Sequence, residues 1–449
     1  MDRARVNMFL TFTFVAILPT LMAHIVDLDE VWQKRAEEAW NNSLAAYKPN
    51  PEAIVNAFNE HGHTANINST RRHLRKKYRG PCMAYNPIDR CWRCRKNWAK
   101  NRKRLANCVQ GFGHRAIGGK KGPIYVVTDP SDNDVVNPRP GTLRHAVIQK
   151  GPLWIIFARS MTIRLSQELI MQGDKTIDAR GANVNIARGA GITIQFVRNI
   201  IIHNLHFNDI VSKNGGMIRD SVDHVGIRQK SDGDSISIFQ SSDIWIDHIS
   251  MSRSADGLID IVEGSTGITI SNCHFAEHDK VLLFGADDKN PKDRIMQVTV
   301  AYNHFGKKLV QRMPRCRWGF FHLVNNDYTH WLMYAIGGSN GATIISQGNR
   351  FIAPPDPKAK ETLTAALIMG WYVQQVTHRN NAVESEWKSW IWRSEGDVMM
   401  NGAFFVQSGN PNGARAFPNL KLIRPQPGTE VTRLTKFTGS LGCRVRKAC

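Results

Sequence analysis

Four aspartates and three cations stand at spacings that could carry chemistry together. Asp232-Gly-Asp234 is followed by Asp256-Gly-Leu-Ile-Asp260, then by Lys280, and then by Arg312 and Arg317 within Gln311-Arg-Met-Pro-Arg-Cys-Arg317. Asp256 and Asp260 are an even number of residues apart, so on one extended strand they share a face. Carboxylates gathered on a face repel one another unless a cation sits among them. Oxygen ligands without His or Cys suit calcium rather than zinc. Each Asp-Gly pair taken singly also reads as a solvated turn, and spacing alone leaves the three cations readable as a structural ion-pair network. Other chemistries lack their residues: Gly118–Gly122 misses the phosphate-loop spacing, no serine nucleophile elbow occurs, and His203, His206 and His304 fall inside repeats.

The elements that must position these residues are short Ile/Val-rich strands, beginning near Ile124. A self-similar octad recurs at Ile200–Phe207, Ile244–Met251, Ile268–Phe275, Val298–Phe305, Phe321–Tyr328 and Ile344–Phe351. Its first, third and eighth places are apolar and its fifth or sixth is commonly Asn or His; Ile344–Phe351 breaks the third. The octad ends advance by 44, 24, 30, 23 and 23 residues, a period in the low twenties with one coil uncounted and one carrying an insertion. Strands recurring at this period without helices between them predict a solenoid, and a parallel β-helix in particular. An inward Asn at each bend is expected to hydrogen-bond its neighbours. On such a scaffold Asp232 and Asp234 lie one coil from Asp256, and Lys280 lies one coil beyond Asp260, so the acidic and basic residues stack near one another.

The remaining chain sets the compartment and the partner. With 449 residues and 42% hydrophobic content, a large core is possible. The net charge of +21 points to a polyanionic partner. Arg3 and Arg5 precede an apolar run from Met8 to Met22 and then Ala23, the pattern of a secretory leader over residues 1–23. No later stretch is apolar enough to cross a membrane, so a soluble extracellular protein is expected, with no nucleic acid and no membrane as partner. Helical spacing over Asp29–Tyr47, basic runs at 71–77 and 90–104, and Cys82, Cys91, Cys94 and Cys108 define an N-terminal region over 24–110. The solenoid occupies 111–410, and a tail over 411–449 carries Cys443 and Cys449. These six cysteines read as disulfides stapling the terminal segments, while Cys273 and Cys316 are left open. Asn41 and Asn68 stand in glycosylation sequons.

Several runs resemble plant pectate lyases of polysaccharide lyase family 1: C-W-R-C-R-K-N-W (Cys91–Trp98), W-I-D-H (Trp245–His248), A-D-G-L-I-D (Ala255–Asp260), Q-R-M-P-R-C-R (Gln311–Arg317) and V-N-N-D-Y-T-H-W (Val324–Trp331). The resemblance extends from about residue 25 to the C-terminus, and Gly215–Asp220 and Leu441–Cys449 are similar to the pollen- and anther-expressed subgroup. It implies an all-β, right-handed parallel β-helix with a short helical N-terminal region, secreted to the cell wall and monomeric. It further implies calcium-dependent β-elimination of de-esterified galacturonan, giving 4,5-unsaturated products. Asp232, Asp234, Asp256 and Asp260 would hold calcium, Lys280 and Arg317 would bind substrate carboxylates, and Arg312 would take the C5 proton. A guanidinium is ordinarily charged throughout, so that last role needs surroundings that disfavour the charged form. Ser235, Gln240, Ser254, Trp318, Gly191 and Ile210 depart from the usual family residues, and none of them deletes a proposed catalytic group.

Overall fold

The structure is a computed structural model that describes residues 29–51, 83–354, 374–380, 382–409 and 422–449. The expected leader, the basic run at 71–77, Cys82 and Asn68 lie outside these residues.

Each octad folds as two strands separated by a bend. The first strand joins a ten-stranded parallel sheet running from Ile124–Val127 to Trp392–Glu395. The second joins a nine-stranded parallel sheet from Met161–Ile163 to Val398–Met400. A third strand per coil builds an eight-stranded parallel sheet from Leu169–Ile170 to Thr377–Arg379, and the three sheets close a right-handed parallel β-helix. Register follows the repeat. Ile200, Ile244, Ile268, Val298, Phe321 and Ile344 stand in one inward row. Phe207, Met251, Phe275, Phe305, Tyr328 and Phe351 stand in another. The rings of Phe275, Phe305, Tyr328 and Phe351 stack with centroids 5.2, 4.6 and 4.5 Å apart. Burying each such side chain stabilises by roughly 1.5–3 kcal/mol, and a one-residue slip would turn the whole row outward.

The fifth octad place is the bend itself. Asn204, His248, Asn272, Tyr302, Asn325 and Gly348 there all have φ between 53° and 68°. Asn and Gly adopt that left-handed conformation at least cost, which explains the polar residue in the repeat. The expected Asn ladder forms only over the later coils. Asn303, Asn326 and Asn349 hydrogen-bond in series to the next residue along, ending on Asp397. Leu205, Ile249 and Cys273 fill the same inward place earlier, joining the apolar core instead.

One expectation about the coils is corrected. No coil is missing in the 44-residue interval, because Met251 pairs directly with Phe207. The extra residues form an antiparallel hairpin, Gly216–Ser221 with His224–Arg228, that projects from a single coil. The 30-residue interval does hold an insertion, which contains the 3₁₀ turn Pro291–Ile295.

Terminal segments wrap the solenoid. Asp29 caps the helix Glu30–Ala46, and its carboxylate accepts from the backbone of Val31 and Trp32. Cys91–Cys108 and Cys443–Cys449 are disulfides, and Cys94 is disulfide-bonded as well. Cys273 and Cys316 are free thiols buried in the solenoid. A charged clamp joins all three parts of the chain: His248 Nε2 meets Asp89 Oδ1 at 2.7 Å, its Nδ1 meets the carbonyl oxygen of Gly439 at 3.0 Å, and Arg93 donates to Asp89 at 2.8 Å. Both ring nitrogens face acceptors, which calls for the imidazolium. Burial pulls the His248 pKa down, but the carboxylates of Asp89 and Asp247 outweigh it and hold the ring above its ordinary value. A raised imidazole pKa contributes stability that is complete below about 6.5 and is lost as pH rises through the raised value. His248→Gln is therefore expected to cost about 3–5 kcal/mol at pH 5.5, with the gap to wild type narrowing at alkaline pH. Denaturant melts across that range check this, and a pH-independent gap would contradict it.

Candidate active site

Strand alternation on the eight-stranded sheet sends Ile236, Ile238, Ile259 and Ile261 into the core and leaves Ser237 and Asp260 on the outer face. Parallel register then aligns Ser237, Asp260, Leu283 and Arg315 in one outward row. Asp232 and Asp234 occupy the turn before Ile236–Phe239, and Asp256 occupies the turn before Ile259–Val262. Asp256 is thus not on the strand that carries Asp260, and strand parity does not place it. Contacts from the next coil do: His278 Nε2 lies 2.6 Å from the Asp256 carbonyl oxygen, and Lys280 Nζ donates to Asp256 Oδ1 at 2.6 Å.

Asp234 is held by the Gly257 N–H at 2.7 Å and the Ser237 hydroxyl at 2.9 Å. A side chain on Gly257 would put its Cβ 2.2 Å from Asp260 Oδ1 and 3.0 Å from Asp234 Oδ1. Glycine at this position is what lets the two carboxylates approach. Burial, together with the neighbouring charges of Asp256 and Asp232, pushes Asp234 up to about 6 against the hydrogen bonds from Gly257 and Ser237. Burial and then Asp234 and Asp256 hold Asp260 well above the carboxylate range, opposed by Arg312. Asp232 is raised by burial and by Asp256. Asp260 Oδ1 is buried without a hydrogen-bond partner. Among the described residues no three carboxylate, imidazole or thiol groups stand ready-placed as metal ligands; Lys280 already holds Asp256.

The cations follow on the next coils. Lys280 ends the strand His278–Lys280, which pairs with Leu309–Gln311, so Arg312 comes directly after the residue in register with Lys280. Arg312 has φ 63° and a buried Nε with no partner, and its carbonyl accepts from Leu282 at 2.6 Å. A non-glycine residue in that region costs of order 1–3 kcal/mol. Arg317 is engaged: its Nε donates to Asp288 at 2.9 Å and its Nη1 to the Gly285 carbonyl at 2.6 Å.

All four aspartates line a groove of about 490 Å³ over the outer face of the sheet. Its far end is bounded by Trp32 of the N-terminal helix and by Arg228 of the hairpin. Arg35 pairs with Asp220 at 2.9 Å, and His224 bridges Asp29 at 3.0 Å and Asp220 at 2.9 Å. Neither the helix nor the hairpin is placed at the groove by repeat spacing. The one signal for the hairpin was the 44-residue interval, and nothing in the helix pattern marks Trp32 as a groove wall.

A parallel β-helix whose groove gathers four aspartates, with cations on the adjoining coils, is a scaffold for an acidic, extended substrate once a hard cation sits among those carboxylates. This chain belongs to the pectate lyase family, and it is a pectate lyase. The family model described as "Pectate lyase" matches residues 164–367, and that described as "Pectate lyase, N terminus" matches 24–74. The chain is 59% identical to probable pectate lyase P59 of Solanum lycopersicum over 98% of both chains. It is 56% identical to a pectate lyase of Lilium longiflorum over 97% of both. Among solved structures it is similar to Jun a 1, the major allergen from cedar pollen, with a TM-score of 0.74 and 42% identity over 80% of this chain and 100% of that one.

Proposed function

We propose that this enzyme cleaves de-esterified galacturonan by calcium-dependent β-elimination in the cell wall, after secretion. The observation that carries the reading is the convergence of Asp232, Asp234, Asp256 and Asp260 at one groove, with Lys280, Arg312 and Arg317 on the adjoining coils. Support for a polyuronate substrate also comes from a Bacillus pectate lyase of the same fold, described in complex with trigalacturonate, with a TM-score of 0.53 and 18% identity. No helix among the described residues is long and apolar enough to cross a membrane. Asn41 is exposed on the N-terminal helix, where a glycan could be attached.

The donor set fits calcium. Buried carboxylates that raise one another's pKa, and an orphaned oxygen on Asp260, are what a hard divalent cation would relieve. Asp234 and Asp260 would hold it, joined by Asp232 and by Asp256 once Lys280 turns to substrate. Bound calcium would withdraw charge from a substrate carboxylate and so acidify the adjacent C5–H. Arg312, beside the acidic cluster and with a buried Nε that has no partner, would accept the C5 proton in its neutral guanidine form, becoming the guanidinium. The C5–H electron pair forms the C4–C5 double bond as the C4–O bond breaks, and water protonates the departing oxygen. Lys280 and Arg317 would orient uronate carboxylates, and Arg317 must exchange Asp288 to do so.

An ultraviolet absorbance assay on polygalacturonate tests this. Product absorbance should rise with calcium, vanish with chelator and return when calcium is restored. Chelator-insensitive cleavage of methyl-esterified polymer, or pectate binding with no product across the alkaline range, would overturn it.

A further inference from the structure

We infer that Arg315 and Tyr334 form a second carboxylate-binding position, engaging a uronate other than the one being cleaved. This rests on the substrate class proposed above. Arg315 lies in the outward row Asp260–Leu283–Arg315, two strands from Asp260. At the usual strand spacing that is about 10 Å along the sheet, too far for one sugar carboxylate to reach both. The neighbouring Cys316 is wholly buried in the core, which turns Arg315 to the outer face of the sheet.

Two buried donors stand here with nothing to donate to: Arg315 Nε and the Tyr334 hydroxyl both lack hydrogen-bond partners. The local carboxylate, Asp288, is taken by Arg317 at 2.9 Å. A structural ion-pair network would supply a counter-ion to Arg315, and among the described residues none stands within salt-bridge distance. Burial, then the charge of Arg317, holds Arg315 below the guanidinium range, as expected where like charges crowd without an anion. Burial likewise pushes Tyr334 up to about 12, so its hydroxyl stays a donor at working pH. The ring of Tyr334 is fixed by stacking on His378 at 4.9 Å, and a Cβ on Gly337 would lie 2.5 Å from Tyr334 Cε2. An unsatisfied buried donor is costly, and a bound carboxylate would satisfy a planar guanidinium bidentately.

The test is kinetic and calorimetric. Arg315→Gln is expected to raise KM for polygalacturonate by roughly ten- to hundredfold, with kcat changing much less. Tyr334→Phe, which keeps the stacked ring, should raise KM less, and Arg315→Lys should recover part of the loss. Calorimetric titration with oligogalacturonates needs no turnover. In an Arg312→Gln background, adding Arg315→Gln should weaken binding by about tenfold or more. Unchanged affinity in a normally melting double variant would overturn the inference, as would a fall confined to kcat. Absence of product from wild type, by contrast, would sink the lyase chemistry while the titration still decides the subsite.

Discussion

Arg312→Gln is expected to lower kcat on polygalacturonate by about 10²–10⁴-fold, the usual contribution of a positioned proton acceptor, with a much smaller change in KM. Glutamine keeps a polar side chain, shorter than arginine's, while removing the basic group. The role assigned to Arg312 comes from the family resemblance, and its buried, partnerless Nε and its proximity to Asp260 are compatible with it. Substitution at Arg317 provides the contrast. That guanidinium is tied to Asp288, so Arg317→Gln should act mainly on KM. Initial rates over a substrate series separate the two, and partial recovery of Arg312→Gln by added guanidine would strengthen the assignment. A kcat within a few-fold of wild type would remove Arg312 from the chemical step.

Neutralising Asp260 should have the second large effect, with opposite signs for activity and for stability. Asp260→Asn removes one negative charge from a cluster whose members raise one another's pKa. Calcium-dependent product formation should be lost. At calcium about 100-fold above Kd a single site stabilises the wild type by about 2.7 kcal/mol, and the variant should gain none of this. Without calcium, however, the variant should melt at or above the wild-type temperature, because a buried, repelled carboxylate has become a neutral amide. The same logic gives a pH dependence. A carboxyl whose folded pKa is raised contributes stability below its unfolded value and loses it as pH climbs through the folded one. For Asp234 that window runs from about 4 to about 6, so calcium-free wild type should weaken across it and calcium should restore it. Thermal melts with and without chelator at several pH values check both points. A calcium-free variant less stable than wild type would mean that Asp260 serves the fold rather than the metal.

The two predictions differ in how far each could be read from the chain alone. Octad register, the inward apolar rows and the one-coil offset of Asp232 and Asp234 from Asp256 were legible, because in a solenoid each coil pairs only with its neighbours; the shared strand face expected for Asp256 and Asp260 was not found. A fixed repeat then converts sequence distance into position. The role of Arg312 was not legible from spacing, since an arginine one coil from aspartates reads equally as their ion-pair partner. It was the family resemblance that singled it out.

By itself, then, the sequence determined a parallel coil of apolar rows with an acidic patch and a basic patch on successive rungs. Side-chain alternation and in-register burial leave few other ways to hide those isoleucines and phenylalanines. Tertiary structure decided what the repeat does not encode. Asp256 is set by a turn and by Lys280 rather than by strand parity. Arg317 is bound to Asp288, whereas Arg315 carries no such partner. Trp32 closes the groove through Asp29, Arg35, Asp220 and His224, joining segments more than 180 residues apart. Those contacts arise where an insertion and a terminal helix happen to meet, and no periodicity governs such a meeting.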